Sequence, residues 1–363
     1  MVAAVWATVG GTTASSAVVQ NQQSPVHHVF VINLENKGFD QTFGSSQGPY
    51  LARTLRRKGQ LLTNYFAIGH ASLDNYIAQI SGQGPNPSTQ SDCSTYSEFA
   101  STGVGEFGQA VGDGCVYPAS VKTVADQLRA ANLTWRAYQE DMGNSAIEPT
   151  TCRHPALGST DPTEVARPGD QYATKHNPFM YFHSIIDSPD CATNVVPLEQ
   201  LNADLAGVTT TPNLVYITPN LCHDGHDKPC ADGQYGGLVS VDRWLREWAP
   251  KILGSPAFKR DGMLIVTFDE ADLSGPNSDS SACCGVTSTP NAAQPGLNGP
   301  GGGRTGTIVI SRFTKPGTTN RTPYNHYSLL CSIENLFGLD HLGLANQPGL
   351  KCFDNNVYNR ARS

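Results

Sequence analysis

The chain has 363 residues, with 24 Lys and Arg against 31 Asp and Glu, for a net charge of −7. An acidic balance is the wrong sign for gripping a nucleic-acid backbone. A composition of 39% hydrophobic and 15% charged residues, with 36 Gly and 24 Pro, excludes coiled coils and disordered chains. No apolar run approaches the roughly 18 residues of a transmembrane helix, so the chain reads as a loop-rich globular protein.

Residues 1–26 read as leader and linker. Residues 2–19, rich in Ala, Val, Thr and Gly, look like a degenerate signal peptide without a basic start and with a weak small-residue cleavage site. Residues 27–363 then read as a single domain. Its first element is the near-continuous apolar run Val26 to Leu34, a buried strand. The run ends at Glu35-Asn36. Residues 50–58 have the pattern of a short basic helix, and Gln60 to Ile68 returns as a strand.

That strand delivers the chain to Gly69-His70-Ala71-Ser72-Leu73-Asp74-Asn75-Tyr76, ahead of an apolar run that ends at Gly82. The spacing predicts a short helix with Ser72 at its start. Unpaired backbone N–H groups and the positive dipole end collect there, which suits an anion. A serine in this position serves either as an N-cap or, beside His70 and Asn75, as a nucleophile for phosphoryl transfer.

Further along come a helix at Val124 to Asn132, a strand at Thr134 to Tyr138, a helix at Leu198 to Ala206 and a strand at Pro212 to Thr218. A long helix from Leu238 to Leu253, strands at Met263 to Phe268 and Thr307 to Ile310, and a helix from Ser328 to Phe337 complete the series. Three long irregular segments, 83–123, 141–196 and 273–305, interrupt it. Loops of such length are functional or stapled, and they read as excursions over the active face. The strand–loop–helix alternation predicts an α/β protein, a three-layer αβα sandwich with a mostly parallel central sheet.

The ten cysteines lie mostly in these loops and match no zinc-finger spacing. They read as disulfides formed in an oxidising compartment, hence a secreted or periplasmic protein. Neighbouring pairs such as Cys93–Cys115, Cys152–Cys191 and Cys222–Cys230 are expected.

Three buried-type strands each end in metal- or proton-competent groups: Glu35-Asn36, His223-Asp224-Gly225-His226-Asp227 and Asp269-Glu270. In open α/β sheets, sites form outside the carboxyl ends of the strands. With Ser72 and His326 at helix starts, the clusters read as parts of one active site.

Five motifs now stand in order: Leu34-Glu35-Asn36-x-x-Phe39-Asp40; Gly69-His70-x-Ser72-x-x-Asn75-Tyr76; Pro219-Asn220-x-x-His223-Asp224-x-His226-Asp227; Thr267-Phe268-Asp269-Glu270; and His326-Tyr327-Ser328-Leu329-Leu330 with Ile333-Glu334. The set resembles the bacterial and fungal phosphoesterase family of secreted acid phosphatases and phospholipases C, within the alkaline-phosphatase-like superfamily. The resemblance spans roughly residues 27–345. It implies that Ser72 is the nucleophile and that Glu35, Asn36, Asp269 and Glu270 hold a divalent cation that also touches Ser72. Oxygen-rich ligands suit Mg²⁺, Ca²⁺ or Mn²⁺, while the histidines keep Zn²⁺ open. His70, Asn75, Asp224 and His326 would bind substrate, and His226 or His223 would protonate the leaving alcohol. Asp74 stands where relatives carry proline. The implied substrate is a small-molecule or lipid-headgroup phosphoester, a monoester in the first instance and a diester, as for a phospholipase C, in the second.

Two other classes compete. Gly44-Ser45-Ser46-Gln47-Gly48 matches the G-x-S-x-G elbow of a serine carboxylesterase, with Ser46 as nucleophile, but the mechanism requires a strand before it and residues 37–43 are poor strand material. A non-catalytic secreted binding protein is the other alternative. A sulfatase is excluded, since no Cys/Ser-x-Pro-x-Arg segment is present.

Overall fold

The computed structural model describes Met1, residues 26–286 and residues 288–360. The leader and signal-peptide reading falls on residues 2–25, outside the described residues. The central sheet has eight strands: β1 (His28–Leu34), β2 (Gln60–Leu62), β3 (Trp135–Gln139), β4 (Val195–Pro197), β5 (Leu214–Thr218), β6 (Gly262–Phe268), β7 (Thr307–Ser311) and β8 (Thr318–Asn320). Their spatial order is β8-β2-β7-β6-β1-β5-β3-β4. Only β7 runs against its neighbours.

The period of two along β1 sorts its side chains between two layers. Val29 and Val31 join one core with helices α1 (Ser72–Ser81), α2 (Val124–Ala130) and α5 (His326–Phe337). Phe30, Ile32 and Leu34 join the other with α3 (Gly237–Gly254) and α4 (Pro256–Asp261). Leu238, Val241, Leu245, Trp248 and Ile252 recur on one face of α3 and close that layer. Every residue of β1, β5 and β6 is buried, as expected where helices cover both faces of a parallel sheet. The three-layer αβα sandwich is therefore the observed architecture.

Several elements depart from the sequence reading. The strand expected over Gln60 to Ile68 is broken: Asn64 ties its side-chain amide to the Arg321 carbonyl, and Tyr65–Phe66 pair with Tyr324–Asn325 in a separate ladder. The basic helix at 50–58 opens as a π-helical turn, Tyr50–Leu55, because one Asp242 carboxylate oxygen accepts the N–H groups of both Tyr50 and Leu51. The excursion at 83–123 is not wholly irregular and carries a hairpin, Ala100–Val104 with Ala110–Asp113. The helix expected at 198–206 shrinks to a 3-10 turn and one α-turn, Leu201–Asp204.

The three expected disulfides are present, joined by Cys283–Cys284 and Cys331–Cys352. Cys152–Cys191 closes the second excursion on itself. The elbow needed by an esterase is absent: a short helix, Phe39–Phe43, precedes Gly44, and Ser46 is exposed in a bend.

Candidate active site

β6, β1 and β5 are adjacent and parallel, with Leu34 opposite Phe268 and Ile32 opposite Ile217. Their carboxyl ends therefore stop together and release Glu35-Asn36, Asp269-Glu270 and the Asn220–Asp227 loop at one edge. The Glu35 N–H donates to the Asp224 carbonyl, which joins two of these exits directly. Asn36 holds a left-handed backbone, φ 52°, tolerated best by Gly and Asn. That turn points its N–H at Asp269 Oδ1 and its amide at Glu270 Oε1, both at 2.9 Å.

Ser72 is the first residue of α1, whose N-cap is Ala71, and Ser72 caps nothing. Its hydroxyl instead donates to Glu35 Oε2 at 2.9 Å. The other Glu35 oxygen accepts from the Tyr76 hydroxyl at 2.5 Å. Ser72 and Tyr76 are four residues apart on one helix, so they meet the same partner. Asn75 lies between them and is fully engaged: its Oδ1 accepts from the Ile68 and Gly69 N–H groups, and its amide donates to Gly69, Ala71 and Glu270 Oε2. Asn75 thus moulds the turn that presents Ser72 and ties it to Glu270. His70 turns instead to the 273–305 segment, its Nε2 meeting the Asp279 carbonyl at 2.9 Å and the Ser280 hydroxyl at 3.1 Å, while its Nδ1 is buried without a partner.

The remaining histidines separate. His326 is fully buried behind the site: Nε2 donates to the Asp269 carbonyl at 2.6 Å and Nδ1 meets the Tyr65 hydroxyl at 3.0 Å. Burial pushes its pKa down to about 4, so it stays neutral. His223 pairs with Glu140 at 2.9 Å. Burial opposes its charge, but that bond and the charges of Glu140 and Asp141 outweigh it and raise the pKa. His226 is bonded to Asp227 and its ring lies 5.6 Å from the ring of His176.

His176 is the site residue that sequence reasoning missed. It comes from the second excursion, in the 3-10 turn Thr174–His176, and stacks on Tyr76 at 5.5 Å. Its Nδ1 lies 3.0 Å from Asp224 Oδ2 and its Nε2 3.4 Å from Glu35 Oε2. Strand-end reasoning does not reach it, because no strand precedes it. The signal available was local: a histidine in Lys175-His176-Asn177-Pro178, inside a loop too long to be idle.

Glu35, Asp224, Asp269 and Glu270 are all buried. Burial, followed by the charges of Asp269 and Asp224, holds Glu35 well above the usual carboxylate range. Burial likewise raises Asp224, Asp269 and Glu270. Burial, with Lys175 and His226 beside it, holds His176 well below the usual imidazole range. Four buried carboxylates cannot all ionise without a compensating cation. Asp269 Oδ2 and His176 Nε2 are buried without a hydrogen-bond partner, so donor atoms are free to face one. Glu35, His176 and Asp224 bring ligand atoms within 4.8 Å of one another. The residues fit a divalent cation, and the oxygen-rich set fits a hard one.

Comparison with known proteins gives the family of the chain. A model of the Phosphoesterase family matches residues 49–340. The phosphate-repressible acid phosphatase of Penicillium chrysogenum is 28% identical over 289 residues, which are 80% of this chain and 54% of that protein. The phosphatidylinositol-3-phosphatase of Mycobacterium tuberculosis is 23% identical over 322 residues, 88% of this chain and 80% of that protein. Among solved structures, the PsFucS1 sulfatase from Pseudoalteromonas sp. shares the fold, with a TM-score of 0.50 at 11% identity, over 93% of this chain and 74% of that one. The chain spans between 54% and 63% of the length of the first fungal relatives it matches. The order of the five motifs, the strand-end site and a family model matching most of its length agree: the chain belongs to the Phosphoesterase family.

Proposed function

We propose that the chain is a metal-assisted phosphoric-ester hydrolase, a phosphomonoesterase of the acid-phosphatase kind, acting through a phosphoserine on Ser72. The observation that carries this reading is the 2.9 Å bond from the Ser72 hydroxyl to Glu35, inside a nest of buried carboxylates. Glu35, Asn36, Asp269 and Glu270 would hold a divalent cation, with His176 and Asp224 adjoining them; His176 Nε2 lies 3.4 Å from Glu35 Oε2, the same oxygen that accepts from Ser72. Such a cation supplies a lowered pKa for the serine hydroxyl and a counter-charge for the phosphoryl oxygens.

The chain's own groups do the rest. Glu35 orients the Ser72 hydroxyl and accepts its proton. Ser72 Oγ bonds to phosphorus as the ester P–O bond breaks. His226, its ring 5.6 Å from that of His176 and its side chain 29% exposed, delivers a proton to the leaving alcohol. Water then attacks the phosphoserine and gives its proton to His226 as the bond from Ser72 Oγ to phosphorus breaks; Glu35 returns its proton to Ser72 Oγ, and inorganic phosphate leaves. The two acid phosphatase and lipid-phosphatase relatives support monoesters, with phosphoinositide headgroups as one substrate class. Five disulfides among the described residues support an oxidising, extracellular setting. No described helix is long and apolar enough to cross a membrane.

The test is a panel of p-nitrophenyl phosphate, a p-nitrophenyl diester and a short-chain phosphoinositide, with and without EDTA, on wild type and Ser72→Ala. The expected result is EDTA-sensitive monoester hydrolysis that Ser72→Ala abolishes with its circular dichroism unchanged. Activity in Ser72→Ala would sink the nucleophile assignment, and a preference for the diester would replace the monoesterase reading.

A further inference from the structure

A buried cation lies one residue from His176 and has no part in the mechanism above. The Lys175 side chain is 7% exposed, and its ammonium lies 3.0 Å from Asp92 Oδ2 and 3.8 Å from Glu164 Oε2. Asp92 belongs to the first excursion and has a left-handed backbone, φ 54°. Its second oxygen, Oδ1, accepts the Leu73 N–H at 3.1 Å. That N–H is one of the unpaired donors at the start of α1, whose own N-cap, Ala71, offers no side chain to it. Asp92 therefore caps the nucleophile's helix from another loop.

The same lysine is bonded through the chain to the residue that touches Glu35 and Asp224. One ion pair, buried at Lys175 and partly exposed at Asp92, thus joins both excursions to the helix that carries Ser72. A direct contact with a substrate phosphate is the simpler role for a lysine near such a site. It fits less well, because the ammonium is buried between two carboxylates. A fully exposed ion pair would contribute little, whereas removing the partner of a largely buried charge such as Lys175 or Asp92 leaves the other uncompensated.

We propose that Lys175 is a positioning residue for the phosphoryl-transfer step: through Asp92 it fixes the first turn of the Ser72 helix, and through the backbone it sets His176 against Glu35. The inference rests on the reading of Ser72 as nucleophile. A displacement of about 1 Å in a nucleophile costs on the order of 100-fold in rate, so the effect should fall on kcat.

The experiment is a double-mutant cycle on the full chain with p-nitrophenyl phosphate, using Lys175→Met, Asp92→Asn and both together. Lys175→Met should lower kcat by about 100-fold with KM within about 3-fold, and Lys175→Arg should recover most of it. In the Asp92→Asn background, Lys175→Met should add little, because the link it works through is already cut. A rise in KM with kcat unchanged would overturn the proposal in favour of direct substrate binding. Full additivity would overturn it too. If Lys175→Met alone fails to fold by circular dichroism, the neutral pair Asp92→Asn/Lys175→Met decides: wild-type kcat in a folded double variant overturns the proposal. Ser72→Ala separates the two readings, since activity there removes the nucleophile assignment whatever the Lys175 cycle gives.

Discussion

The Ser72 hydroxyl reaches Glu35 Oε2 across 37 residues of sequence, at 2.9 Å, while Tyr76, one turn further on, grips the other oxygen. Glu35 is thereby held at both oxygens by one face of one helix. Glu35→Gln should lower kcat on p-nitrophenyl phosphate by about 10³-fold, because it removes both the proton acceptor and one anionic donor. Tyr76→Phe leaves the charge in place and frees only the geometry, so a loss nearer 10-fold is expected, on the low side of general base effects. Equal losses in the two variants would show that the bond from Tyr76, not the carboxylate, dominates.

Chelation should act on stability as well as turnover. Glu35, Asp224, Asp269 and Glu270 are buried together, and removing a cation leaves their charges facing one another. A cation present at about 100 times its Kd stabilises the fold by roughly 2.7 kcal/mol, a Tm change of about 3–4 °C for a chain of this size. Thermal melts with EDTA, then with excess Mg²⁺, Ca²⁺, Mn²⁺ or Zn²⁺, measure it. His176→Ala should weaken that metal-dependent rise. An unchanged rise in His176→Ala would leave the cation to Asn36, Asp269 and Glu270 without the imidazole.

Away from the site, Glu334 predicts a pH dependence of stability. Its Oε1 accepts the Leu342 N–H, its Oε2 is buried without a partner, and burial raises its pKa from 4.5 to about 8. The folded state therefore binds this proton more tightly than the unfolded chain. Its stability contribution is complete below about 4.5 and is lost as pH rises through about 8. Glu334→Gln cannot lose a proton here, so its Tm should fall less than the wild-type value between about pH 5 and 9. The difference should reach roughly 2–4 kcal/mol at the alkaline end. Parallel Tm curves for the two proteins would contradict this.

The disulfides should differ in what they contribute. Cys331–Cys352 spans 21 residues and ties the C-terminal segment to α5, whereas Cys283–Cys284 has a separation of 1. Restraint of the unfolded chain grows with loop length. Replacing both members of the Cys331–Cys352 pair by Ala should cost about 3 kcal/mol by urea denaturation, and replacing the Cys283–Cys284 pair about 1 kcal/mol or less. A larger loss from the adjacent pair would mean that it stabilises the folded loop rather than restrains the unfolded chain.

The parts of this protein that were legible in its sequence are those governed by local pattern. The runs at His28–Leu34, Leu214–Thr218 and Gly262–Phe268 are short, apolar and rich in β-branched residues, so they read as buried strands. A parallel sheet aligns its carboxyl ends, which is why Glu35, Asp224 and Asp269 could be assigned to one edge. The helix from Ser72 was readable from its apolar spacing and the glycine after it, which holds the left-handed C-cap at φ 67°.

Only the tertiary structure decided what the loops bring back to that edge. His176 enters because Cys152–Cys191 closes a long excursion and Tyr76 provides a ring to stack on. His223 and His226 looked alike in the sequence, and only the fold shows that their partners differ: His223 meets Glu140, a residue remote in sequence, and His226 meets its neighbour Asp227. Ser72 looked equally suited to capping its own helix, and it is Asp92, from another loop, that accepts the Leu73 N–H. Periodicity fixes which face of a strand or helix is buried. It carries no information about which side chain of a loop closes on a charge, because that depends on partners far away along the chain.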